Sequence, residues 1–321
     1  MKILKTLSVT AFFALFSFGC LNAQDLGEAV NLYNGAIKAF QEAQYTQAIS
    51  DIEKALQIAT AVEDDEQALD VKANCETIIP QFYFSYAIQQ ANDKEFIKAI
   101  QTLEKAMELA ERYNNDDILI SAEDRMPLVY RAKGSADVEA GRLEEGIAAY
   151  RQALEWDKNN STIYLLIASA QRTNDEAGAL ATFDQIIAME NAKPDDVATA
   201  KRQASNIYLR RAAAAQPTKK WNEMYESAQK AAGYDNTNTQ TLKLLGMSAI
   251  ELKRWRDAIT AYEAVLSAEP DAKDKNTTMY RLAIAYENSN NKAKACSFYK
   301  QIVSDAQFKA FAEQKVKELC Q

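Results

Sequence analysis

Residues Trp255 to Leu266 read WRDAITAYEAVL, and near copies of this phrase recur along the chain. YTQAISDIEKAL runs from Tyr45 to Leu56, FIKAIQTLEKAM from Phe96 to Met107, and LEEGIAAYRQAL from Leu143 to Leu154. Each opens on an aromatic residue or leucine. A small residue stands three places on, a larger apolar residue four beyond that, and usually Ala three after. This spacing puts the four positions on one face of a helix. One helix, or one helix pair, cannot bury such a face alone, so the repetition predicts a solenoid of stacked pairs.

The clearest unit surrounds Trp255, from about Thr239 to Asp271. Leu242, Leu245, Gly246 and Ala249 mark its first helix, Trp255, Ala258, Tyr262 and Val265 its second, and Pro270 follows the end. Met279, Leu282, Ala283 and Tyr286, then Ala295, Tyr299 and Ile302, mark the next unit. Tyr208, Ala212 and Ala215, then Trp221, Met224, Ala228 and Ala231, mark the one before, with Gly233 placed to end its second helix. Looser units follow towards the front, and the connection inside the unit of Tyr164 and Phe183 reads one residue short.

These units resemble the tetratricopeptide repeat family, in which a unit of about 34 residues forms two antiparallel helices, A and B. The resemblance implies an all-α fold: an α-α superhelix of about seven helix pairs plus a C-terminal capping helix. The units fall near residues 28–61, 80–113, 127–160, 161–193, 205–238, 239–272 and 276–304, with the cap at 305–319. The small residue of helix B, or its equivalent, falls at 48, 99, 146, 179, 224, 258 and 295. Three of the steps between these positions are well over the family's unit length. The extra residues lie at 59–80, 110–125 and 189–203 and stay rich in helix formers and acids. They read as lengthened helices with acidic bends; mobile acidic loops are the alternative.

Bulk composition agrees. Of 321 residues, 48% are hydrophobic and 26% charged, with nine Gly and five Pro. So few turn formers leave little room for long loops or β-turns. The segment from Met1 to Ala23 stands apart as a signal peptide. Lys2 and Lys5 precede an apolar stretch from Leu7 to Phe18, then Gly19-Cys20-Leu21-Asn22-Ala23. The apolar stretch is short for a membrane span, and a buried N-terminal helix is the bland alternative. Cleavage after Ala23 leaves a periplasmic or secreted chain, residues 24–321. Cleavage before Cys20, with lipid on its sulfur, leaves an outer-membrane lipoprotein.

The formal charge is −8, and −10 once the signal is removed. An acidic surface repels phosphate backbones, which argues against nucleic acid as a partner. The chain has no histidine, which removes imidazole bases, Ser-His-Asp and Cys-His nucleophiles, and Cys/His zinc sites. Asp235-Asn236-Thr237-Asn238 lacks the glycine and terminal glutamate of a calcium loop and reads as a turn capping the next helix. No catalytic residue, cofactor or metal site is expected. A carboxylate pair acting as a glycan hydrolase is the remaining enzymatic alternative.

Cys296 and Cys320 fall on elements that pack together, and a bond between them would staple the cap to the array; two separate thiols are the alternative. Cys75 reads as buried and unpaired. The resemblance also implies a binding face, because helix A lines the concave surface in this family. Carried over, its ligand-facing positions are Tyr33, Ile37, Phe40, Phe84, Ile88, Arg131, Leu165, Arg172, Lys243, Met247 and Tyr280. Several of these would serve equally as packing between repeats. Members that grip a C-terminal carboxylate use Lys and Asn where this chain has Tyr33 and Ile37, so that clamp is missing. The expectation is a non-enzymatic scaffold for a protein or peptide, with a lipid-anchored accessory of an outer-membrane assembly or nutrient-uptake complex as the alternative.

Overall fold

The computed structural model describes residues 23–62 and 65–320. The signal peptide before Ala23, with Cys20, and the acidic pair Glu63-Asp64 lie outside the described residues. Among those described there are fifteen helices and no strand. The described residues up to Lys133 and those from Gly134 onwards form two compact units.

Unit 1 contains α1 (Ala23–Gln41), α2 (Tyr45–Ala61), α3 (Glu66–Asn92), α4 (Phe96–Arg112) and α5 (Asp116–Glu139) as far as Lys133. Unit 2 holds the last turns of α5 and then α6 (Leu143–Trp156), α7 (Ser161–Gln171), α8 (Glu176–Ala188), α9 (Pro194–Ala215) and α10 (Trp221–Tyr234). It continues with α11 (Thr239–Glu251), α12 (Trp255–Ala268), α13 (Lys275–Asn288), α14 (Lys292–Ile302) and α15 (Lys309–Leu319). Helices pair in chain order, so the repeated phrase is helix B of successive pairs.

The phrase is the core. Ala48, Ile52 and Ala55, then Ala99, Leu103 and Ala106, are wholly buried, as are Ala258, Tyr262 and Val265 to within a percent. Removing this apolar surface from water is the main stabilising term. The small residues let helices approach. A Cβ on Gly246 would stand 2.7 Å from the Tyr262 ring, and one on Gly146 would stand 2.5 Å from a Val138 methyl. Glycine is required at both places because the larger partner already fills the groove.

Three-residue turns close most A–B pairs in one way. The amide of Gln44 donates to the carbonyl of Ala39, Glu95 to Gln90, Arg142 to Asp137, Arg254 to Ala249 and Asn291 to Tyr286. The residue before each donor is left-handed: Ala43, Lys94, Gly141, Lys253 and Asn290. This closure satisfies the last carbonyls of helix A, but only Gly141 adopts it without a Cβ penalty.

Two sequence expectations shift by a residue or so. Helix α10 runs past Gly233 to Tyr234, whose hydroxyl donates to Asp184 at 2.6 Å and holds the residue in the helix. The shortfall read in the α7–α8 connection lies in α7 itself, which has 11 residues, while residues 172–175 connect it to α8. Asn238 caps α11 through the amide of Thr241, as the turn reading required.

The long steps are helical. Helices α3, α5 and α9 have 27, 24 and 22 residues and begin at Glu66, Asp116 and Pro194. Pro80 and Pro127 lie inside α3 and α5, where a unit of ordinary repeat length would start. Each removes one intrahelical hydrogen bond, so the extension ahead of it is tied to the rest of its helix less firmly.

The end of the chain is fastened three ways. Cys296 and Cys320 form a disulfide. Lys315 reaches Glu287 at 2.6 Å. The Tyr280 ring stacks on Phe308 at 4.6 Å and meets Phe311 edge-on at 5.4 Å. No described helix is long and apolar enough to cross a membrane.

Candidate binding face

The A-helix positions sort into two kinds of environment. Tyr33, Ile37 and Phe40 are half-buried against the core of α1–α3, and Phe40 stacks flat on Phe82 at 4.3 Å. Phe84 packs against α4 and α5, Leu165 against α8 and α9, and Met247 beside Ala212 and Met224. Tyr280 lies under the cap, as above. Ile88 is partly exposed on α3. These apolar side chains, Ile88 apart, join helices to one another.

The polar positions behave differently. Arg131 is exposed on α5. Arg172 is exposed and donates to Gln203 on α9 at 2.8 Å, spanning one A helix to the next. Lys243 reaches Glu269 at 3.2 Å and Asp274 at 2.9 Å. Partial burial pulls its ammonium down, but the hydrogen bonds to Asp274 and Glu269 more than offset this and hold it above the ordinary lysine value.

Tyrosine–carboxylate bonds recur beside these positions. Tyr83 donates to Glu53 at 2.6 Å, Tyr225 to Asp257 at 2.8 Å, Tyr299 to Glu287 at 2.8 Å, and Tyr286 to Glu263. Burial first, and then the accepting carboxylate, pushes Tyr83 and Tyr299 well above the ordinary tyrosine value. These hydroxyls therefore stay protonated across the neutral range and act as fixed donors between helices. Cys75, with no exposure, is raised to about 12 by burial and the nearby Glu76, which leaves it an unreactive thiol.

Two hollows in unit 2 escaped the sequence reading. One of about 500 Å³ is lined by Arg151, Leu154, Tyr164, Ile167, Gln171 and Gln185. The other, about 520 Å³, sits at the turn Lys253-Arg254-Trp255-Arg256, with the Arg254 guanidinium 4.3 Å from the Tyr225 ring centre. The first draws Arg151 and Leu154 from α6, Tyr164, Ile167 and Gln171 from α7 and Gln185 from α8, and the repeat spacing, which follows one helix at a time, carried no signal for either hollow. Among the described residues no group of acids and cysteines is gathered to hold a metal ion.

Family comparison identifies three stretches of the array. Tetratricopeptide repeat models match residues 129–160, 244–272 and 277–306. The chain carries tetratricopeptide repeats. The fold of this repeat protein is that of a scaffold for protein–protein interaction. No curated protein matches it. Among solved structures, the TPR2AB domain of yeast Sti1 in complex with pHSP90 is 14% identical, covering 92% of this chain and 99% of its own, with a TM-score of 0.36. A MamA protein is 17% identical over 58% of this chain and 95% of its own, TM-score 0.32. The TPR domain of P58(IPK) is 11% identical over 92% and 97%, TM-score 0.30. At such scores these likenesses carry nothing about partners.

Proposed function

We propose that the chain is an exported, non-enzymatic scaffold that holds a protein or peptide through side chains that differ between repeats. The observation that supports this is the match of three segments to a repeat whose helices are built to present surface rather than to enclose a reaction. The recurring residues are spent on packing. The exposed variable ones, Arg131 and Arg172 above all, are our candidates for specifying a ligand. Export rests on the basic, apolar and small-residue order of the segment before Gln24.

Pull-down from an envelope extract tests the scaffold. The full chain should recover a discrete partner, and Arg131→Glu with Arg172→Glu should lose it; recovery of nothing above that variant sinks the reading. The Gly19-Cys20 pair supports a second reading, a lipid-anchored accessory of an outer-membrane or uptake assembly. Intact mass of the mature N-terminus separates the two. A chain starting at Gln24 removes the anchor, and a diacylated Cys20 establishes it.

A further inference from the structure

The charge of this protein is concentrated in one unit. Residues 23–133 carry twenty Asp and Glu against ten Lys and Arg, a net −10, while residues 134–321 carry 25 of each and are neutral. Among the described residues, few of the acids in unit 1 stand within ion-pair distance of Lys or Arg. Among the described residues its ion pairs include Lys98–Glu95, Lys105–Glu108 and Arg112–Glu108. Glu66, Asp70, Asp117 and Asp124 take part in none among those residues.

The same unit holds most of the large apolar side chains left in water among the described residues. Leu69 and Ile120 are each 57% exposed, Ile97 64% and Leu128 42%. On α5, Asp117, Ile120, Asp124 and Leu128 follow helical spacing along one stripe, opposite Ala122, Met126 and Val129, which are buried. On α3, Glu66, Leu69 and Asp70 occupy the face turned away from Ala68, Val71 and Cys75. The extensions that carry the two stripes are tied together. Asn115, just before α5, donates from Nδ2 to the carbonyl of Thr77 on α3 at 3.1 Å. The α3 stripe and, up to Asp124, the α5 stripe belong to the added turns that distinguish these helices from ones of ordinary repeat length.

We propose that the outer stripes of α3 and α5 dock a cationic amphipathic segment of a partner protein. Like charges kept close together in the free protein repel one another, and a partner bearing Lys or Arg relieves that repulsion. The exposed leucines and isoleucine add apolar area that a purely ionic partner would leave wet. The length from Glu66 to Thr77, about 17 Å at roughly 1.5 Å per residue, matches three turns of a docked helix. This inference rests on the scaffold reading and adds to it a second docking surface, apart from Arg131 and Arg172, with its own ligand chemistry.

Three synthetic peptides of about five helical turns test it by fluorescence anisotropy with the full chain: one with a Leu face and a Lys face, one with Leu and Glu, and one with Lys and Ser. The Leu/Lys peptide should bind best, and its affinity should fall as salt rises. Asp117→Lys with Asp124→Lys should weaken it about tenfold or more, and Leu69→Ser with Ile120→Ser should do the same. Glu190→Lys with Asp271→Lys, the same charge change in unit 2, should leave it unaltered. All four changed residues of the two test variants are exposed, and circular dichroism checks that each variant stays folded. Equal binding of the Leu/Glu peptide, or equal weakening by the unit 2 control, overturns the proposal while leaving the scaffold reading intact. Failure of all three peptides also overturns it, and the envelope pull-down then decides the scaffold separately.

Discussion

The two units spend the same repeat differently. Unit 2 keeps most of its helices short, with 11 residues in α7 and 14 in α12. It balances its charge and closes its end with a disulfide and an aromatic stack. Two of the three family matches lie wholly inside it. Unit 1 lengthens its A helices to 27 and 24 residues, gathers a net −10 over residues 23–133, and leaves leucine and isoleucine in water. Both bury the same Ala and large-apolar pattern on helix B. The packing code and the surface code are therefore separable: the first sets the stack, and the second is written on residues the stack does not need.

Core damage should show the shared code at full strength. Phe82→Ala in unit 1 and Phe183→Ala in unit 2 each remove a buried ring. Each should cost about 3–5 kcal/mol by urea denaturation. A much smaller loss in unit 1 would mean that its long helices do not share the compact packing of unit 2.

Breaking the staple should separate the units. Cys296→Ser with Cys320→Ser opens a link between residues 24 apart, worth about 3 kcal/mol by loop entropy. Hydrogen exchange should rise in α13–α15 and remain unchanged in α1–α4; a rise throughout would contradict two separately packed units. Gly246→Ala, which drives a methyl into the Tyr262 ring, should cost about 1–3 kcal/mol.

Alkali should act on both units through the tyrosines. Tyr83 and Tyr299 have values raised above the ordinary 10 by burial and by Glu53 and Glu287. A raised acid stabilises the fold fully below the unfolded value and loses that contribution as pH climbs towards the folded one. Thermal stability should therefore hold to about pH 10 and fall above it, and Tyr83→Phe with Tyr299→Phe should flatten that fall. The smallest effect is a gain: Lys253→Gly relieves a left-handed lysine at φ 58° and should add about 1 kcal/mol, provided the flanking turn is unchanged.

Legibility followed the same division. Residues 239–304 declare themselves because the repeat period survives there, and Ala258, Tyr262, Ala295 and Tyr299 are all buried. The lengthening of α3, α5 and α9 was readable from helix formers and spacing, with Asp65 capping α3 through the amide of Ala68. What Phe40 and Tyr280 do was not readable. Their pattern positions are compatible with ligand or neighbour, and only the rings of Phe82, Phe308 and Phe311 settle that they stack. The charge difference was in the sequence throughout, but it acquires meaning only once Lys133 marks the end of one unit.

The separation of surface from stack stands or falls on hydrogen–deuterium exchange of the full chain, with and without the Leu/Lys peptide. New protection is predicted in α3 from Glu66 to Thr77 and in α5 from Asp116 to Leu128, with α6–α15 unchanged. Protection centred on unit 2, or none at a peptide concentration that saturates the anisotropy signal, would contradict it.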